Sequence, residues 1–252
     1  LKIKAPRTLR LPLFTEGEKG RLLSELLRSR GLSYSDSKQW SQAWDERLGL
    51  DAREVEGFLK RWERLSGFPY GREKPEGRQE FWIGLGSEEM QTPYSELLEI
   101  VDAVLLRKPA AAGETWMDLG AGYGRLGVAL ALLLPDSCYR GLEYVSERVR
   151  AGSAVLRRFG YPPEALQRQD LADPGFSPPA ASVYFIFDYG SAEARAKTLA
   201  DLQAVARLQS ILVVARGRGI RNQIDRGAPW LSQVERPDHY SAFSVYRSGG
   251  SP

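Results

Sequence analysis

The chain has 252 residues, 42% of them apolar and 27% charged, enough apolar material for one large α/β core with a smaller attached unit and too much for wholesale disorder. One cysteine, Cys138, and one histidine, His239, exclude an intrachain disulfide and two-cysteine metal sites, and leave Cys-His or Ser-His-Asp catalysis a single possible base. The net charge of +3, with both signs interspersed, is unlike a dedicated nucleic-acid binder, and no stretch approaches the roughly 20 apolar residues of a membrane span.

The first ten residues carry Lys2, Lys4, Arg7 and Arg10 without an acid and read as a solvated basic arm. Thr15-Glu-Gly-Glu18 has capping-box spacing and opens a helix through Leu22, Leu23, Leu26 and Leu27, stopped by Gly31. A second helix carries Trp40 and Trp44 at i, i+4. A third starts at Asp51 and places Val55, Phe58, Leu59 and Trp62 on one face. Aromatic residues at this spacing read as core of a small helical lobe. Residues 66–80, rich in Gly, Pro and charge, read as a linker, so a lobe with its linker over 1–80 and a second domain over 81–252 are expected. Gln91-Thr-Pro-Tyr94 then opens a helix, with Thr92 as N-cap and Pro93 in the first helical position.

A regular alternation follows: strand 115–119, helix 124–134, strand 138–143, helix 146–159, strand 166–169, strand 181–187, helix 191–207 and strand 210–215. Strands alternating with helices predict a mostly parallel sheet covered on both faces. Leu231–Glu235 and Ala242–Tyr246, separated by Arg236-Pro-Asp-His-Tyr240, predict a C-terminal antiparallel hairpin.

The chemistry-bearing stretch is Thr115-Trp-Met-Asp-Leu-Gly-Ala-Gly-Tyr-Gly-Arg125, a strand closing on Asp118 and a loop with Gly120, Gly122 and Gly124. Bare glycines let the main chain pass close to a bulky ligand, and the following helix aims free N–H groups at it. Gly122-x-Gly124-x-x-Gly127 also satisfies the dinucleotide fingerprint, with Glu143 for a ribose. Asp118 favours S-adenosylmethionine over NAD, because a carboxylate repels a pyrophosphate and suits a sulfonium or ammonium group. A closing hairpin points the same way, since a dinucleotide fold continues with a second parallel half.

Asp118-Leu-Gly-Ala-Gly-Tyr-Gly resembles the first motif of class I S-adenosylmethionine-dependent methyltransferases, and the likeness in element order covers roughly residues 91–247. The resemblance implies a Rossmann-like class I methyltransferase fold, with Asp118, Gly120, Gly122 and Gly124 under the methionine part of the cofactor. It places Glu143 on both ribose hydroxyls with Tyr144 beside it, and Asp170 and Leu171 near the adenine. Asp188, after the fourth strand in Phe187-Asp-Tyr-Gly190, becomes a candidate base or amine anchor, with Tyr189 lining the pocket and a helix cap at Ser191 as the plainer role for Asp188. This stretch departs from the Asn-Pro-Pro-Tyr or Asp-Pro-Pro-Tyr motif of enzymes that methylate base or glutamine amino groups. Gln91-Thr-Pro-Tyr94 has a short likeness to some protein-lysine methyltransferases and leaves Tyr94 as a possible cofactor or substrate contact. Arg216, Arg218 and Arg221 read as a solvated basic loop, with recognition of an acidic substrate as the alternative.

The expected activity is methyl transfer to a nitrogen or oxygen nucleophile, with a protein side chain such as lysine or a small molecule preferred over nucleic acid, no metal and a cytoplasmic location. The rival readings are a catalytically silent interaction module and an NAD-dependent oxidoreductase.

Overall fold

The computed structural model describes residues 11–66 and 91–249; the basic arm and the expected linker and domain boundary lie outside the described residues. Three helices come first: α1 (Glu16–Arg28), α2 (Tyr34–Leu48) and α3 (Ala52–Ser66). The capping box of α1 forms, with Glu18 N donating to Thr15 Oγ1 and Thr15 N to Glu18 Oε2. Ser33 caps α2, Gly49 ends it with a left-handed φ of 88°, and Asp51 accepts from Glu54 N to start α3.

The rest is α4 (Tyr94–Arg107), β1 (Thr115–Leu119), α5 (Arg125–Leu133), β2 (Cys138–Glu143), α6 (Ser146–Arg158), β3 (Leu166–Arg168), β4 (Val183–Phe187), α7 (Ala192–Ala206), β5 (Leu212–Arg216), α8 (Arg218–Gly227), β6 (Asp238–His239) and β7 (Phe243–Arg247). The sheet order is β3-β2-β1-β4-β5-β7-β6. β1 to β5 are parallel, and β7 runs antiparallel to β5. This is the α/β, Rossmann-like architecture with a closing antiparallel hairpin that the element order implies. Reversal at β7 ends the parallel run before a second mononucleotide half can form. No helix among the described residues is long and apolar enough to cross a membrane.

The period of two along each strand sorts the core into two layers. Trp116, Val183, Phe185, Leu212 and Val214 face α4, α5, α6 and the N-terminal helices in one buried cluster. Met117, Tyr184, Ile186, Val213 and Ala215 face α7 and α8 in the other. The N-terminal helices are thus continuous with the core of one sheet face. Trp44 is buried and stacks on Trp40 with ring centroids 5.2 Å apart, as core packing predicts.

Among the described residues, buried ion pairs fasten this layer at three places. Arg125, at the first turn of α5, binds Asp45 of α2 through Nε at 3.0 Å; Arg148 of α6 binds Glu56 of α3; and Arg216 of β5 binds Glu96 of α4 with Nε and Nη2 at 2.6 and 2.9 Å. Removing one partner of such a pair strands a buried charge at a cost of about 3–5 kcal/mol.

Three expectations change. Helix α4 begins at Tyr94 with Pro93 in the cap position and no side-chain cap, since proline has no side-chain acceptor to offer; the Thr92 carbonyl accepts from Arg125 Nη1 at 3.1 Å. The first hairpin arm is not Leu231–Glu235. Pro229 starts a 3-10 turn that buries Leu231, and Arg107 binds Glu235, the Arg236 carbonyl and Asp238, so the ladder with β7 is confined to Asp238 and His239. Pro237, lacking an N–H, cannot extend it as a donor. Arg216 does not belong to a solvated loop: it is buried, paired with Glu96 and stacked on the Phe187 ring at 4.3 Å.

Candidate functional site

The C-terminal ends of β1, β2 and β4 bring the glycine loop, Glu143 and the Asp188–Gly190 turn to one edge of the sheet. Gly120, Gly122 and Gly124 all have positive φ (87°, 56° and 76°), a run that residues with a Cβ rarely adopt. Gly120 N and Ala121 N both donate to the Leu142 carbonyl at 2.9 Å, which folds the loop back onto the end of β2. Among the described residues, a Cβ placed on Gly122 would meet no atom within 4 Å, whereas one on Gly152 of α6 would lie 2.3 Å from the Tyr123 carbonyl. The loop is therefore packed tightly from beneath by α6 and open at its middle glycine.

Glu143 closes this arrangement. Its Oε2 accepts from Gly122 N at 2.8 Å and its Oε1 from Val145 N at 2.9 Å. Each carboxylate oxygen has a further acceptor position, so two hydroxyls can still be bound. Tyr144 follows, half-buried, with the Arg168 guanidinium 5.9 Å from its ring centre.

Asp118 lies beneath the loop and is buried; its Oδ2 accepts from Tyr139 OH at 3.3 Å. Burial pushes its pKa up from 3.8 to about 7, with the Tyr139 bond opposing the rise and the Glu143 charge adding to it. A nearby cation would draw it back to the charged form.

The remaining expected residues are less uniform. Asp170 is exposed, and its Oδ1 accepts from Ala172 N at 2.8 Å, while Leu171 is buried. The Tyr189 ring covers Gly120, where a Cβ would be 3.2 Å from Cδ1, and its hydroxyl is turned to Thr198 Oγ1. Burial raises the pKa of that hydroxyl.

Two expected site residues are engaged by distant elements. Asp188 Oδ2 accepts from Gly219 N at 2.8 Å and Oδ1 from Ile220 N at 2.5 Å, so the carboxylate binds the N-terminus of α8, with Arg195 Nε at 3.9 Å. The cap at Ser191 is made by its own hydroxyl, which accepts from Ala194 N. Tyr94 is fully buried, with its hydroxyl 2.9 Å from Asp45 Oδ1 and its ring against Trp44, so it joins the N-terminal helices to the sheet layer.

Four further residues contact the expected ones or one another without having been legible in the sequence as part of this cluster. Tyr139 supports Asp118, Tyr123 of the glycine loop donates to Glu56 at 2.8 Å, and Arg148 stands between Glu56 and Glu143. The available signal was Glu56 itself: Ala52, Val55, Glu56 and Leu59 form one buried helical stripe, and a carboxylate there calls for a buried cation.

No family model and no curated protein matches the chain. Solved structures are similar over part of it. An RNA methyltransferase from Salinibacter ruber, in complex with S-adenosyl-L-homocysteine, is 20% identical, with 63% of this chain and 92% of that one covered and a TM-score of 0.44. A precorrin-6y C5,15-methyltransferase from Geobacter metallireducens is 12% identical, with 66% and 94% covered and a TM-score of 0.44.

These residues fit S-adenosylmethionine. Among the described residues the loop is open at Gly122, the buried Asp118 carboxyl is suited to a cationic group, and Glu143 has acceptor positions for a diol. A pyrophosphate would meet two acids.

Proposed function

We propose that this protein is an S-adenosylmethionine-dependent methyltransferase acting on a nitrogen or oxygen nucleophile. The observation that carries the reading is the positive-φ glycine loop bonded through Gly122 N to the carboxylate of Glu143 at the end of the next strand. When bound, the cofactor supplies a methyl group on a sulfonium sulfur. The chain's own contribution is binding and alignment: Asp118 and the loop hold the amino-acid end, Glu143 the ribose, and Tyr144, Asp170 and Leu171 the base. Asp118 and the antiparallel β7 weigh against NAD-dependent oxidoreduction.

The acceptor is proposed to be a protein side chain such as lysine or a small molecule. The test is transfer of a radioactive methyl group from S-adenosylmethionine into fractionated cell extract. Label in protein or in small molecules supports this choice, and label confined to RNA overturns it.

A cofactor-binding protein without turnover is the second reading, favoured by the engagement of both candidate catalytic groups elsewhere, Asp188 with α8 and the Tyr189 hydroxyl with Thr198. Bound cofactor with no labelled acceptor in any fraction would support it.

A further inference from the structure

Glu56 belongs to the N-terminal helices, yet its carboxylate reaches the glycine loop. Its Oε1 accepts from Tyr123 OH and from Arg148 Nε, each at 2.8 Å, and its Oε2 from Arg148 Nη2 at 3.2 Å. Arg148 Nη1 stands 3.7 Å from Glu143 Oε1, within ion-pair range and beyond a hydrogen bond. Glu56, Arg148, Glu143 and Tyr123 are all buried, so water does not screen the competition between the two acids. An arginine fork satisfies one carboxylate bidentately, and here Glu56 takes the fork. Glu143 is left with two backbone N–H bonds and spare acceptor positions.

We propose that Glu56 is a positioning residue for cofactor binding: it draws the Arg148 fork off Glu143 and steadies Tyr123, which keeps the Glu143 carboxylate available to ribose hydroxyls. The proposal rests on the reading of Glu143 as the ribose-binding acid. With the charge of residue 56 removed, Glu143 is, among the described residues, the neighbouring carboxylate to which the fork can turn, and closing the 3.7 Å gap would consume the Oε1 position that a hydroxyl needs. The N-terminal helices then take part in cofactor affinity without touching the cofactor.

The test is titration calorimetry of the full chain with S-adenosylhomocysteine, alongside ligand-free thermal melts. Glu56→Gln should bind roughly tenfold more weakly than wild type, the size of coupling expected between groups in direct contact. The double variant Glu56→Gln with Arg148→Met should recover most of the lost affinity, because no guanidinium remains to occupy Glu143. A purely structural role for Glu56 would make the double variant worse. The penalty of Glu56→Gln should also shrink for the 3′-deoxy analogue, which lacks one of the competing hydroxyls. If Glu56→Gln fails to fold, Glu56→Asp, which keeps the charge but withdraws it by one methylene, is read in its place with the same direction expected. Wild-type affinity in the single variant, no recovery in the double variant or an equal penalty with the 3′-deoxy analogue would each overturn the proposal. Absence of binding to the wild-type chain would instead overturn the cofactor reading on which it rests.

Discussion

Replacing Asp118 with asparagine should make the ligand-free protein more stable above neutral pH while weakening its hold on S-adenosylmethionine. In the unfolded chain this carboxyl ionises near 3.8; in the folded chain burial raises it to about 7. Between those values the folded state keeps a proton that the unfolded state has lost. The contribution of Asp118 to stability is therefore fully present below about pH 4, falls as pH rises, and levels off above about pH 7, where both states are ionised. The interval from 3.8 to about 7 corresponds to at most about 4 kcal/mol at 1.36 kcal/mol per pH unit. The asparagine side chain would carry no charge to desolvate and could still accept from Tyr139 OH. Urea melts from pH 4 to 8 should show a decline in the wild type that is largely absent from Asp118→Asn, with the variant ahead at pH 8. Calorimetry should show weaker S-adenosylmethionine binding by the same variant, the opposite movement expected where a costly buried charge serves a ligand. Parallel pH profiles for the two proteins, or a variant less stable than wild type at pH 8, would refute the reasoning.

Asp188→Asn should cost about 1 kcal/mol of stability through the weakened N-terminus of α8, leaving S-adenosylhomocysteine affinity unchanged. Unchanged urea melts with lost turnover would restore Asp188 as a base. Tyr94→Phe should cost about 1.5–3 kcal/mol, the worth of a hydrogen bond to a charged group, again without change in calorimetric affinity. A tenfold loss of affinity in a folded Tyr94→Phe variant would return Tyr94 to the cofactor site.

The parallel part of the fold was legible because each element carried its own period and its own stop: strands β1 to β5 lie within two residues of their expected bounds, and Ser146 and Ser191 mark where helices begin. The closing hairpin was legible in kind but not in register, because Arg107, distant in sequence, holds Glu235 and Asp238 away from a longer ladder. The partners of Tyr94 and Asp188 were hidden for a related reason. Each residue stands at an element end and is engaged by a partner from far along the chain, Asp45 and the start of α8. Glu143 was legible by position, at the end of the second strand. Its dependence on Arg148 and Glu56 was not, since a buried triad built from two helices and a strand leaves no periodic trace.

The central claim is tested most directly by calorimetric titration of the full chain with S-adenosylmethionine, set against Glu143→Ala. One equivalent bound by the wild-type chain, with affinity lost or much reduced in a folded Glu143→Ala variant, is the result predicted. No heat of binding to the wild-type chain, or binding that Glu143→Ala leaves unchanged, would contradict it.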